Sequence, residues 1–222
     1  MQNIRKQCPL FLGIEEDAYF SLLEELHAYP HTYKQDSWII HEEDHMDHIG
    51  ILLYGKLQLS QNDLEGNRML LHELTPGDIF GEVFALQNTS INISIQAITA
   101  SQILWIPIRH ILSPAPSESC CLLLQNLLRI LAEKNLHLRN TIHVLSGRSL
   151  REKLLRYLTQ LSTKQNSLVV HLPYDRQGLA DALCVDRSAL SRELSKMKQE
   201  GILDVHKSTI VLKGAVTNRQ NV

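Results

Sequence analysis

The 222-residue sequence predicts an α+β chain in three parts: a strand-rich N-terminal half, one long helix, and a C-terminal part of short helices ending in a strand pair. Three observations carry this. Residues 32–107 read as short apolar runs separated by turn chemistry. Residues 117–146 contain neither Gly nor Pro and repeat apolar side chains at alternating spacings of four and three, while residues 175–212 hold two short capped helical patterns followed by two β-prone runs. No apolar run approaches the roughly 18 residues that cross a bilayer, and the first nine residues lack the apolar stretch of a secretion signal. This points to a cytoplasmic protein with no membrane partner. Cys8, Cys120, Cys121 and Cys184 are too few and too scattered for a disulfide scaffold and lack zinc-ligand spacing, so reduced thiols are expected.

Residues 15–26 place Tyr19, Leu22, Leu23 and Leu26 at helical spacing, predicting a short helix against the sheet. Strands are predicted at 38–40, 49–54, 56–60, 69–74, 91–97 and 102–106. A polar hairpin loop at 62–67, the Thr75-Pro76-Gly77-Asp78 turn and Gly55 separate them. Short strands at near-regular spacing fit an antiparallel sandwich or barrel. Pro107, Pro114 and Pro116 mark its exit, giving a first domain of residues 1–116.

The long helix is predicted over residues 117–146. Leu124, Leu128, Leu131, Asn135, Leu138, Ile142 and Leu145 keep coiled-coil phase over three heptads, and Leu123, Leu127 and Ile130 form a flanking stripe. The flanking stripe suits the sheet; the heptad seam suits a second copy of the chain. Asn135 at an a position favours a parallel, in-register, two-stranded pairing. The seven seam residues are therefore the expected dimer interface.

From 147 onward the character changes. A helix is expected over 150–161, a polar loop at 162–167 and a strand at 168–172. Asp175 then opens a short helix reaching Leu183, Cys184-Val185-Asp186 make a tight connection, and Asp186 is placed to cap a second helix from Arg187 to Gln199. Gly201 stops it, and the runs 202–205 and 209–212 read as a hairpin wing, followed by a frayed tail at 217–222. Two short helices joined by such a turn, with Ala180, Val185 and Leu190 at the crossing, are the signature of a winged helix-turn-helix domain over 147–222. The second helix buries Leu190, Leu194 and Met197 and offers Arg187, Ser188, Ser191, Arg192, Lys196 and Lys198 outward. Arginine can bond guanine O6 and N7 bidentately and lysines suit phosphates, so Arg192 is expected to read a base and Lys198 to bind a phosphate. Charge agrees: residues 1–110 carry 6 Lys+Arg against 15 Asp+Glu, a net −9, whereas 111–222 carry 16 against 9, a net +7. A basic half suits a polyanion such as double-stranded DNA.

The segment Pro76-Gly77-Asp78-Ile79-Phe80-Gly81-Glu82, the long helix, and residues 179–194 (LADALCVDRSALSREL) together resemble the CRP/FNR family of bacterial transcription regulators over essentially the whole chain. The resemblance implies a cyclic-nucleotide-binding-type β-roll as sensor, a dimerisation helix and a homodimer reading palindromic DNA, with RNA polymerase as a further partner of an activator. It places Arg187, Ser188 and Arg192 on the main base-reading positions and Ser191 on a further contact. It places the effector pocket at Gly81, Glu82, Ile91 and Asn92, with Asn135 of the long helix added. Members that bind cyclic AMP pair its phosphate with an arginine where this chain has Ile91, so the expected effector is a small molecule other than cyclic AMP. Cys184 stands where the family's turn usually has glycine.

A single N-terminal cysteine, Cys8, argues against the iron–sulfur cluster of the family's oxygen sensors. Two alternatives remain within the fold: a haem or gas sensor using a histidine of the 41–48 run (HEEDHMDH), and a redox switch at Cys120 and Cys121. A third, of another class, is an adaptor that does not bind DNA. No nucleophile triad or phosphate-cradling glycine motif supports an enzyme, and no metal site is expected.

Overall fold

A computed structural model of the chain describes residues 2–62, 68–87, 89–113 and 115–213, in two compact units, Met1–Ala132 and Glu133–Val222. Most of the expected 62–67 loop, Pro114 and the expected frayed tail lie outside the described residues.

The first unit opens with α1 (Gln2–Gln7), a 3-10 turn at Pro9–Phe11 and α2 (Glu16–Glu25). Strands β1 (Tyr29–Tyr33), β2 (Trp38–Ile40), β3 (His48–Tyr54), β4 (Leu57–Asn62), β5 (Arg68–Leu74) and β6 (Ile79–Phe80) follow, then α3 (Glu82–Gln87), β7 (Ser94–Ala97), β8 (Ser101–Pro107) and α4 (Ile108–Ile111). They form two antiparallel four-stranded sheets, ordered β1-β8-β3-β6 and β2-β7-β4-β5. Strands β3 and β8 read as unbroken apolar runs because they are covered on both faces. Leu52, Ile103 and Trp105 join Leu57, Ile95 and Ala97 of the other sheet in one core, while Ile49, Ile51, Leu104 and Ile106 pack with Phe11, Tyr19 and Leu22 in a second. Gly50 in β3 allows the Phe80 ring to lie on the backbone, where a Cβ would sit 2.3 Å from a ring carbon.

Helix α5 (Glu118–Leu145) closes this helical layer and continues beyond Ala132 into the second unit. Its flanking stripe is committed: Leu123, Leu127 and Ile130 are buried in the helix-side core, and the Asn126 amide between them donates to the carbonyls of Leu10 and Leu12. The heptad seam divides. Leu124 and Leu131 are half-buried against the same core, whereas Leu128, Leu138 and Ile142 are 59%, 61% and 67% exposed.

The second unit contains α6 (Leu150–Gln165), β9 (Val169–His171), α7 (Arg176–Ala182), α8 (Arg187–Gln199), β10 (Leu203–His206) and β11 (Thr209–Leu212), with sheet order β10-β11-β9. Ser149 caps α6 by accepting the Glu152 N–H. The Arg156 guanidinium pairs with Glu152 and donates to the His143 carbonyl, closing the end of α5. Val144, Leu154, Leu158, Leu179, Leu190, Met197 and Ile210 form the core.

Three sequence expectations are corrected here. Helix α6 continues through the segment read as a loop from 162 and stops only at Asn166, whose left-handed φ of 48° ends it. Gln165 is bonded at both ends of its amide to the His171 backbone, which explains a polar residue in that last turn. Strand β7 starts at Ser94, because the Ile91 backbone bonds to Glu43 and Asp44 in the 41–48 loop instead of entering a ladder. Asp186 occupies the position before α8 but its side chain makes no capping bond, whereas Asp175 caps α7 through the Gly178 N–H at 2.8 Å.

Candidate nucleic-acid interface and effector pocket

The connection between α7 and α8 is built from the backbone. The Cys184 N–H donates to the Asp181 carbonyl and the Val185 N–H to that of Ala180, both at 3.0 Å, which needs a left-handed residue between them. Cys184 supplies it at φ 53°, a conformation that glycine adopts more cheaply. Ala180 and Leu190 are fully buried at the crossing, where larger side chains would push the helices apart.

Helix α8 turns Leu190, Leu194 and Met197 inward and leaves Arg187, Ser188, Ser191, Arg192, Lys196 and Lys198 exposed. Arg187, Arg192 and Lys196 enter no ion pair among the described residues, so their charge faces solvent. Lys198 differs: its Nζ lies 2.8 Å from Asp204 Oδ1 at the start of the wing, and that pairing, with the Val205 N–H, holds the Asp204 carboxyl at about 2.

Sequence reasoning missed the groups that hold α8 in place. The Arg151 guanidinium on α6 donates to Glu193 at 2.6 Å and to both Glu200 oxygens at 2.6 and 3.0 Å, gripping α8 at its middle and its end. Glu200 draws Arg151 further toward its charged form, and Arg151 holds the Glu200 carboxyl below the usual carboxylate range. Arg176 of α7 donates to the Lys207 carbonyl in the wing turn, tying the helix pair to the hairpin. These partners lie 31 to 49 residues apart, beyond any local pattern.

The residues assigned to an effector pocket in the first unit differ in burial. Gly81 has φ 81°, and a Cβ there would sit 2.4 Å from the Met46 sulfur. Glu82 is buried at the start of α3. Ile91, 2% exposed, belongs to the apolar core between the sheets, whereas Asn92 is exposed. Asn135 is exposed and belongs to the other compact unit. Burial pushes the Cys8 thiol up to about 11 and also raises Cys120; Cys121 and Cys184 are exposed. Among the described residues no three His, Cys, Asp or Glu side chains are grouped as metal ligands.

Residues 30–113 match the cyclic nucleotide-binding domain family, and residues 152–214 the Crp-like helix-turn-helix domain family. The chain is 25% identical over 199 residues to the probable transcriptional regulator flp of Lacticaseibacillus casei, covering 88% of this chain and 87% of the relative. In fold it is similar to the catabolite activator protein of Thermus thermophilus, with a TM-score of 0.57 at 22% identity over 92% of this chain and 93% of that one. The cyclic-di-GMP responsive regulator CLP of Xanthomonas campestris gives 0.52 at 17% identity, over 89% and 100%. With a sensor-type β-roll, a long helix and a winged helix-turn-helix in that order, the chain belongs to the CRP/FNR family of transcription regulators, DNA-binding proteins that are not enzymes.

Proposed function

We propose that the chain acts as a homodimer on a pseudo-palindromic duplex, reading bases with Arg187, Ser188, Ser191 and Arg192 and controlled by a small molecule other than cyclic AMP. The observation that carries the DNA reading is the outward face of α8, where two arginines and Lys196 stand exposed on a helix clamped from behind by Arg151. Arg192 is assigned to a base and Lys196 to a phosphate; Lys198 contributes less to phosphate binding because Asp204 already answers its charge. The match of residues 152–214 to a Crp-like helix-turn-helix favours a regulator over an adaptor without DNA. Pairing of two chains through α5 is supported by Leu128, Leu138 and Ile142, which face water in the single chain.

The effector reading rests on Ile91. Its side chain is part of the inter-sheet core, so a cyclic phosphate there would meet hydrocarbon in place of a cation, at a cost of several kcal/mol. Calorimetry giving a low-micromolar Kd for cyclic AMP would overturn it. Fluorescence anisotropy on cognate and scrambled duplexes tests the α8 assignments. Arg192→Ala should lose about 1–3 kcal/mol on the cognate site alone, and Lys196→Ala should weaken both duplexes alike and shallow the salt dependence. An Arg192→Ala variant with unaltered base preference would refute the assigned role.

A further inference from the structure

The β-roll holds a concavity beside the Gly81 and Ile91 positions, lined in part by Met46 and Asp44, which touch them. A cavity of about 280 Å³ opens between β2, the 41–48 loop and the inner face of the β1-β8-β3 sheet. Register explains its walls. Tyr29 of β1 pairs with Trp105 of β8, which pairs in turn with Gly50 of β3; at a period of two, Tyr33 and His48 share that face. Four rings from three strands therefore converge where no stretch of sequence holds more than two.

Their arrangement is fixed. The Tyr29 and His48 rings meet edge-on at 5.8 Å and 82°, and His48 and Trp105 at 6.4 Å and 85°. The Trp105 indole N–H donates to the Tyr33 hydroxyl at 3.2 Å, and Phe80 packs edge-on against the indole at 5.4 Å. Ile40 and the Met46 thioether, 6% and 8% exposed, provide an apolar floor.

Two carboxylates line the same cavity. Asp44 is held by the His41 N–H on its Oδ2 at 2.7 Å and by the Ile91 N–H on its carbonyl at 3.0 Å. Asp47 is held by the Ile108 N–H on its carbonyl at 2.9 Å and lies 2.5 Å from His48 Nδ1. No Lys or Arg is among the described residues lining the space; His45 and His48 are, and His48 already engages Asp47. Such a site repels phosphate and carboxylate groups. It attracts a cation, because aromatic faces carry negative potential and Asp44, with Asp47 where His48 is neutral, adds negative charge.

We propose that this cavity binds a small organic cation of the quaternary-ammonium type. Its volume falls just below the range of about 300–1,000 Å³ typical of small-molecule sites, so only a compact headgroup fits. The site lies wholly in the first unit, so its occupancy stands or falls apart from the assignments on α8.

The test uses the full chain with Trp38→Phe, so that Trp105 is the remaining tryptophan, and titrates choline against its neutral isostere 3,3-dimethylbutan-1-ol. Choline should change the Trp105 emission saturably, and the isostere should bind at least about tenfold more weakly, since it keeps the shape and loses the charge. Tyr29→Leu and Asp47→Asn should each weaken choline roughly two- to thirtyfold. Both replaced side chains are substantially exposed, Tyr29 at 46% and the Asp47 side chain at 66%, so these variants should keep the parent melting temperature. Equal binding of the two probes, a linear unsaturable response to choline, or choline binding unchanged by both substitutions in folded protein would overturn the proposal.

Discussion

Replacing Leu138 by Ala tests the dimer seam without touching the core. Leu138 is 61% exposed in the single chain, and a fully buried leucine contributes about 1.5–3 kcal/mol, so pairing has roughly 1–2 kcal/mol to gain at this side chain. A two-fold interface contains the residue twice. Truncation to Ala removes most of both contributions, about 2–3 kcal/mol, which corresponds to a dimer weakened roughly 30- to 150-fold. Sedimentation velocity over a concentration series reads this as a shift of the monomer–dimer midpoint, with circular dichroism showing an intact fold. Leu131 is a poorer choice, because it packs partly on its own unit's core and its loss would mix folding with pairing. Leu127→Ala supplies the contrast: buried at 1% exposure, it should cost about 2–5 kcal/mol of folding stability through the cavity it leaves. A monomeric parent protein at micromolar concentration, or an unmoved midpoint in Leu138→Ala, would refute the reasoning.

Two further outcomes follow from the second unit. Cys184→Gly should stabilise the helix-turn-helix by no more than about 1 kcal/mol in urea unfolding, because relief of a left-handed side chain is partly offset by the greater freedom of glycine in the unfolded chain; destabilisation would contradict strain at this turn. Asp204, held at about 2 against an ordinary 3.8, contributes stability that is present above about 3.8 and is lost as pH falls through 2. Carbon-13 titration of Asp204 should show its midpoint rise toward 3.8 in Lys198→Ala, and a midpoint unchanged by that substitution would separate the two groups.

Much of this fold was legible because burial and period coincide. The doubly covered strands β3 and β8 announce themselves as continuous apolar runs, α5 by its two stripes, and α8 by the Leu190, Leu194, Met197 spacing. Strand β1 was not legible. Its Tyr-Pro-His-Thr-Tyr sequence is almost wholly exposed and contains a proline, which an edge strand tolerates and a sequence pattern reads as a break. The last turn of α6 was hidden because Ser162, Thr163, Lys164 and Gln165 look like a loop until Asn166 and the His171 backbone are seen to hold them. At the interface, the outward residues of α8 follow from helical period alone. The Arg151 clamp does not, since only the packing of α6 on α8 brings Arg151 to Glu193 and Glu200. The aromatic cavity is similarly a product of strand register, and the burial of Ile91 between the sheets is visible only in the fold.

Selection of bound duplexes from a random library by the full chain tests the central claim most directly, because dimer symmetry and base reading by α8 must both appear in the recovered sites. The account predicts an enriched pseudo-palindrome with half-sites about one helical turn, roughly 10 base pairs, apart, and loss of preference at one symmetric pair of positions in Arg192→Ala. Recovery of a single unsymmetrical half-site, or of no enriched sequence in protein that remains folded and dimeric, would contradict it.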